Sequence, residues 1–157
     1  MQTRKLGKTN HNCSIITFGA FALSRCSQKE ADQGIAMALE AGLNGVDVSP
    51  LYGEAESRLG SWFRRHGKQF FLSCKTAERT RQGAQEELKR SLERLGVDYI
   101  DLYQFHMVDN QRNLDLLLGP DGALEAVLEA KKAGLLKFIG ITGHHPPLLD
   151  QALRRFA

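Results

Sequence analysis

Four residues of this 157-residue chain have the types and spacing to move a proton: Asp47, Tyr52, Lys75 and His106. They fall in the segments Gly45-Val-Asp-Val-Ser-Pro-Leu-Tyr52, Phe70-Phe-Leu-Ser-Cys-Lys75 and Asp101-Leu-Tyr-Gln-Phe-His106, each at the end of an apolar run or just after it. A free phenol titrates near 10 and is a poor acid at neutral pH. An ammonium beside it favours the phenolate and makes it a better acid. Lys75 is the candidate ammonium. Asp47 is the candidate anion that keeps it charged and in place, and His106 the candidate hydrogen-bond donor to a substrate oxygen. Such a set suits general acid catalysis at a carbonyl. Each residue also has a plain structural role open to it: Asp47 as a turn residue, Tyr52 at a rim, Lys75 reaching solvent from a strand, His106 as a satisfied imidazole. Four suitable types at the ends of three neighbouring strands favour the chemical reading.

The elements that must position them alternate along the chain. Short apolar runs at 15–19, 45–48, 70–74, 99–105 and 136–141 read as strands. Between them lie amphipathic stretches. Ser27-Gln-Lys-Glu30 is a capping-box pattern, followed by Ala31, Ile35, Ala38 and Leu39 on one face, and Gly42 stops that helix. Residues 54–65 carry Leu59 and Phe63 at i, i+4, and 82–95 carry Ala84, Leu88, Leu92 and Leu95, ended by Gly96. Residues 123–133 carry Leu124, Val127 and Leu128. A last helix at 148–156 follows Pro146-Pro147, with Leu149, Ala152, Leu153 and Phe156 expected inward. Residues 3–13, with Gly7 and Asn10, predict a small hairpin outside the main sheet.

This is a (βα)₅ pattern with a period of about 30 residues, which implies parallel strands with helices packed outside. An open Rossmann sheet would place G-x-G-x-x-G after an early strand, and the turn here reads Gly19-Ala-Phe-Ala-Leu. The polar candidates gather instead at the C-terminal ends of the second to fourth strands, where a barrel keeps its active site. A complete barrel takes ~250 residues. The expected architecture is therefore α/β, a (β/α)₈ TIM barrel truncated after about five βα units, in one domain over 1–157. An open sheet has unpaired edges that invite pairing with other chains, so self-association is expected. Adjacent strands lie ~4.8 Å apart, so the four residues would share an arc of roughly 10 Å.

Composition narrows the class. Apolar residues make up 42% of the chain, and the net charge is +3 with both signs interspersed. No basic stripe with interleaved aromatics points to nucleic acid. Cys13, Cys26 and Cys74 are odd in number and widely spaced, which fits a reducing compartment and neither a disulfide framework nor a metal site. No apolar stretch approaches the ~20 residues of a membrane span, and no apolar run follows Met-Gln-Thr-Arg-Lys. A soluble, cytoplasmic protein without bound metal is expected.

The motifs resemble the aldo-keto reductase family through essentially the whole chain. Arg4-Lys-Leu-Gly-Lys-Thr resembles the family's opening, Gly45-Val-Asp-Val-Ser-Pro-Leu-Tyr-Gly-Glu-Ala-Glu its Asp followed five residues later by Tyr-Gly, and Asp98-Tyr-Ile-Asp-Leu-Tyr-Gln-Phe-His its fourth-strand motif. The resemblance implies Tyr52 as proton donor, Lys75 and Asp47 tuning it, and His106 orienting the carbonyl. It further implies NADPH, with NADH as the alternative, passing hydride to an aldehyde or ketone or taking it from an alcohol. Ala20, Asp47, Thr142 and Gly143 are the implied cofactor-binding positions. Three departures stand out. The turn after the fifth strand is Thr142-Gly-His-His145, where many members have Ser-Asn, and Gly-Ile-Thr-Gly-His resembles a branch whose members often append an iron–sulfur module. Ser49-Pro-Leu stands where Thr-Ala-x-x is more usual. The family's ring-stacking residue and its basic site for the adenosine phosphate belong to the last two barrel units, beyond residue 157. Other readings are an inactive truncated fragment, or a regulatory or binding protein on the same fold, like the family's ion-channel beta subunits. Phe21, Trp62 and Met107 are candidate pocket residues.

Overall fold

The computed structural model describes residues 1–156. A short antiparallel hairpin comes first: β1 (Thr3–Lys5) pairs with β2 (Asn12–Ser14), Thr3 opposite Ser14 and Lys5 opposite Asn12. Five strands then run parallel in chain order: β3 (Phe18–Gly19), β4 (Gly45–Asp47), β5 (Phe71–Thr76), β6 (Ile100–Phe105) and β7 (Leu136–Ile141). Strand order without a reversal is the arrangement of a barrel wall; a doubly wound sheet reverses. Six α-helices accompany them: α1 (Gln28–Glu40), α2 (Ala55–His66), α3 (Arg81–Leu95), α4 (Gln111–Leu118), α5 (Ala123–Lys132) and α6 (Pro146–Phe156).

Alternation along the strands separates two environments. Val46, Leu72, Cys74, Tyr103 and Phe105 face the helices and are at most 1% exposed. The other face carries Phe71, Leu102, Gln104 and Phe138, all half-buried. Register aligns this second face into rows. Ser73 lies opposite Leu102 and Leu102 opposite Phe138, and one step on Lys75 lies opposite Gln104 and Gln104 opposite Gly140. Since side chains repeat every second residue, Asp47, Ser73, Lys75 and Gln104 project to the same side.

Local chemistry sets the helix bounds. Ser27 and Glu30 form the expected capping box, with Ser27 N–H donating to Glu30 Oε2 at 2.7 Å. The Thr80 hydroxyl caps α3 by accepting the Gly83 N–H, and Gly96 ends that helix at φ 64. α2 meets α3 at Gly60, where a Cβ would sit 1.9 Å from the Arg94 carbonyl oxygen, so only glycine permits the approach. Leu59 and Leu95, fully buried near that crossing, contribute ~1.5–3 kcal/mol each by leaving water.

Three expectations need correction. The first strand, expected over 15–19, pairs into the sheet only at Phe18–Gly19. Ile15 instead extends the hairpin by donating to the Gln2 carbonyl at 3.1 Å, and Ile15 and Ile16 are 53% and 55% exposed. The β-branched pair mimics a core strand but belongs to the hairpin's margin. Helix α4 was not foreseen. Asn110 caps it, accepting the Asn113 N–H at 2.9 Å, while Leu114 and Leu117 are buried. Finally, α6 starts at Pro146, with both prolines in a first turn where a missing N–H costs nothing. Its buried stripe is Leu148 and Ala152; Leu149 is half-buried and Leu153 is 60% exposed. The stripe lies one residue round from the one expected. The side chain of Phe156 lies outside the described residues.

Among the described residues, no helix is long and apolar enough to cross a membrane. No group of three or more His, Cys, Asp or Glu is arranged for a metal ion. Cys13, Cys26 and Cys74 are free thiols.

Candidate active site

Asp47 ends β4 opposite Ser73, and Lys75 lies two residues further along β5 on the same face. That offset brings the Lys75 ammonium into an ion pair with Asp47 Oδ2. Lys75 Nζ also donates to the Val48 carbonyl at 3.2 Å and lies 3.3 Å from the Tyr52 hydroxyl. Lys75 is only 4% exposed. An ammonium so withdrawn from water needs its anion and its acceptors, because an unpaired buried charge costs several kcal/mol. The Asp47 side chain keeps 31% of its surface open. Its Oδ1 lies at the hydrogen-bond limit, 3.5 Å, from Gln104 Nε2.

A tight turn presents Tyr52. Its N–H donates to the Ser49 carbonyl at 2.9 Å, and Pro50 sits at the second position of that turn, where its fixed φ is favourable. The Tyr52 ring meets Phe21 edge-on at 5.3 Å between centroids and His106 at 6.1 Å, again nearly perpendicular. His106 directly follows β6 and continues its ladder, donating its N–H to the Thr76 carbonyl at 2.8 Å. The residue is 9% exposed, with Nδ1 3.3 Å from the Ser49 hydroxyl. Burial, reinforced by the Lys75 charge, pushes the imidazole below its usual pKa. A neutral ring offers one N–H donor and one acceptor.

The loop carrying His106 is tied from both sides. The Arg79 guanidinium donates to the His106 carbonyl, to Met107 O at 3.3 Å, to Ala77 O at 2.9 Å and to Glu78 O at 3.2 Å. Burial holds its pKa below the usual arginine value. From the other side, Met107 N–H donates to the Thr142 hydroxyl at 3.1 Å and Val108 N–H to the Thr142 carbonyl at 2.8 Å. Met107 sits between these ties at φ 53, a left-handed conformation that is uncommon for a side-chain-bearing residue.

The structure therefore brings Asp47, Tyr52, Lys75 and His106 together at the C-terminal strand ends. Thr142 joins them through the His106 loop, its hydroxyl oxygen accepting the Met107 N–H. Gly143 has a local reason to be glycine: a Cβ there would lie 2.8 Å from the Val108 carbonyl oxygen and 2.9 Å from Asp109 Oδ1. Ala20 opens a 3-10 turn (Ala20–Leu23) with its methyl fully buried. Of the three pocket candidates, Phe21 and Met107 are 64% and 48% exposed beside the site. Trp62 is not there; it is in α2, stacked near His66 and donating to Gln69 at 2.9 Å. Sequence reasoning missed the roles of Ser49 and Arg79. Ser49 was visible as a departure within the Asp-to-Tyr segment, whereas nothing in the type or spacing of Arg79 marks it. A groove of about 540 Å³ between α3 and α5, floored by Leu88, Leu92, Ala126 and Ala130, lies on the helical exterior and carries none of this chemistry.

Parallel strands in sequential order, with an acid, a phenol, an ammonium and an imidazole gathered at their C-terminal ends, form part of a barrel wall with its polar cluster on the face where barrels keep their sites. The Aldo/keto reductase family model matches residues 15–156, and the chain belongs to that family. It is 32% identical over 161 residues to the aldo-keto reductase str7 of Strobilurus tenacellus, covering 90% of this chain and 45% of that protein. It is 29% identical to the Schizosaccharomyces pombe aldo-keto reductase yakc [NADP(+)], covering 89% of this chain and 45% of the relative. An aldo-keto reductase structure from Bacillus halodurans, in its holo form, superposes with a TM-score of 0.84 at 27% identity, covering 99% of this chain and 54% of that one. The chain thus spans about half the length of the curated relatives it matches.

Proposed function

We propose that this protein interconverts small aldehydes or ketones and their alcohols with a nicotinamide cofactor, and that Tyr52 is the proton donor. The observation that carries this reading is the Lys75 ammonium held between the Asp47 carboxylate and the Tyr52 hydroxyl, 3.3 Å from the phenol oxygen. NADPH is the cofactor proposed first, supported by the relative named for NADP(+), with NADH the alternative. The donor set suits a nicotinamide amide: the Thr142 hydroxyl retains a proton, and Asp47 keeps an open carboxylate face. When bound, the nicotinamide ring supplies or accepts the hydride.

The chain's own residues do the rest. A substrate oxygen lodged between Tyr52 and His106 accepts a hydrogen bond from the imidazole, which fixes the carbonyl's direction. As the carbonyl carbon gains hydride, the oxygen takes the Tyr52 proton. The Lys75 ammonium stabilises the phenolate left behind, and Asp47 keeps that ammonium in place. Phe21, edge-on to Tyr52, shields the phenol from water on one side. In the reverse direction the phenolate accepts the alcohol proton.

The test is aldehyde-dependent oxidation of NADPH by the purified protein and by its Tyr52→Phe variant. Turnover is expected to fall roughly 10²–10⁴-fold, the usual scale for loss of a general acid. Cofactor binding, followed by quenching of NADPH fluorescence, is expected to persist. Undiminished turnover in the variant refutes Tyr52 as the donor.

A further inference from the structure

We propose that Ser49 is a positioning residue that fixes the tautomer of His106, holding Nδ1 as acceptor so that Nε2 carries the N–H offered to substrate. The inference rests on His106 as the residue that orients the carbonyl, and it concerns the residue between Asp47 and Tyr52 whose hydroxyl meets the imidazole nitrogen.

Hydrogen-bond accounting carries the argument. The Ser49 hydroxyl is buried, with the residue 1% exposed, and it has two neighbours: the Leu51 N–H at 3.2 Å and His106 Nδ1 at 3.3 Å. Leu51 can only donate, so the serine oxygen accepts there. Two arrangements then remain for the second contact. If Nδ1 carried the proton, the serine oxygen would accept twice and its own hydrogen would be stranded in a dry site, at a cost of ~1–3 kcal/mol. If Nδ1 is the acceptor, the serine proton is used and every polar atom of the pair is satisfied. Nε2 must then hold the ring proton, because burial and the Lys75 charge favour the neutral imidazole.

The other ring nitrogen fits this assignment. Nε2 has no protein hydrogen bond and, among the described residues, is not one of the side-chain atoms buried without a partner, so it is open to a ligand. Ser49 also builds the turn that presents Tyr52, since its carbonyl accepts the Tyr52 N–H at 2.9 Å. One residue thereby sets the place of the proton donor and the proton of its neighbouring imidazole.

The experiment is a two-bond ¹H–¹⁵N correlation spectrum of the histidine-labelled protein above the His106 titration, with His106→Gln used to assign the resonances. The native protein is expected to show Nδ1 as the unprotonated nitrogen and Nε2 as the protonated one. Ser49→Ala is expected to shift the tautomer ratio about five- to tenfold toward Nδ1–H, the scale of one hydrogen bond. Ser49→Thr, which keeps the hydroxyl, is expected to restore it. A native spectrum showing Nδ1–H overturns the proposal without any variant, so a misfolded Ser49→Ala protein does not shelter it. An unchanged ratio in a folded Ser49→Ala variant overturns it equally. Turnover is read separately: a protein with the Nε2–H tautomer set by Ser49 but no carbonyl reduction contradicts the enzymatic reading alone.

Discussion

The two ends of the sheet carry nearly the same residues and do different things with them. At the C-terminal ends stand Asp47, Lys75 and Tyr52. At the N-terminal ends stand Asp101, Lys68, Lys137 and Tyr99. Asp101 is also an acid among ammonium groups, 2.5 Å from Lys68 Nζ and 3.2 Å from Lys137 Nζ. Both lysines lie over the Tyr99 ring, 3.8 and 3.9 Å from its centroid. The Asp101 carboxylate additionally accepts the Leu72 N–H at 3.0 Å, which ties three strand starts together. Burial alone would raise the Asp101 pKa, but these donors outweigh it and hold the carboxyl below its usual range. Lys137 foremost, then Lys68, draws the Tyr99 phenol downward too. Among the described residues, the lower cluster has two ammonium groups and no imidazole against its phenol. The upper one has His106, a half-open acid and a lone buried ammonium. Acid, ammonium and phenol thus make a fastener at one end and a candidate catalyst at the other, in keeping with the division of labour between the two faces of a barrel.

Substitutions that separate stability from turnover break or sharpen this contrast. The largest effect is expected at the upper end: Lys75→Met lowers carbonyl turnover roughly 10²–10⁴-fold. Its folding stability is expected to fall by no more than about 1 kcal/mol, because the carboxylate left without its cation, Asp47, keeps 31% of its side chain open to water. Chemical denaturation beside the NADPH assay decides this, and a joint loss of both would erase the distinction. Next is Asp101→Asn, which leaves two ammonium groups without their anion. A loss of about 2 kcal/mol is expected, moderated by the water around Lys137, with turnover per folded molecule unchanged. Because the folded pKa of Asp101 is depressed, its contribution is complete above the ordinary carboxylate value near 4 and is lost as pH falls through the lower folded value. The stability gap between native protein and Asp101→Asn is therefore expected to be constant near neutrality and to close below about pH 4. Thermal melts across that range test the sign. The smallest effect is expected at Lys137→Ala. Its side chain is 48% exposed, so a loss near 0.5 kcal/mol is expected by urea titration.

Much of this molecule was legible from residue order. The capping box, the Gly96 stop and the apolar stripe of α3 are local signals, and local physics decides them. The four candidate residues could be grouped from the sequence because each lies at a strand end or in the loop just after it, and strand ends in a parallel sheet share one face. What escaped depends on packing between distant segments. Ile15 and Ile16 have strand composition, yet pairing with Gln2 takes them to the hairpin. Helix α4 escaped because a run of leucines blurs helical period over eight residues, and only the fold shows Asn110 capping it and Leu114 and Leu117 buried. Trp62 had a type suited to a pocket, and only the direction of α2 removes it. Arg79 acts through backbone carbonyls, which no sequence pattern advertises, and the Ser49 hydroxyl is separated from His106 by 57 positions.

The ties on the His106 loop have a consequence for how the molecule comes together. Arg79 belongs to the segment after β5 and Thr142 to the turn after β7, so the imidazole's loop acquires both anchors only when β7 has docked beside β6. Met107, left-handed between them, has little reason to hold that shape earlier. The His106 loop thus takes its anchors from segments on both sides of its own strand. A chain in which β7 has not docked lacks the Thr142 anchor, so the placement of His106 beside Tyr52 depends on the sheet being formed through its fifth strand.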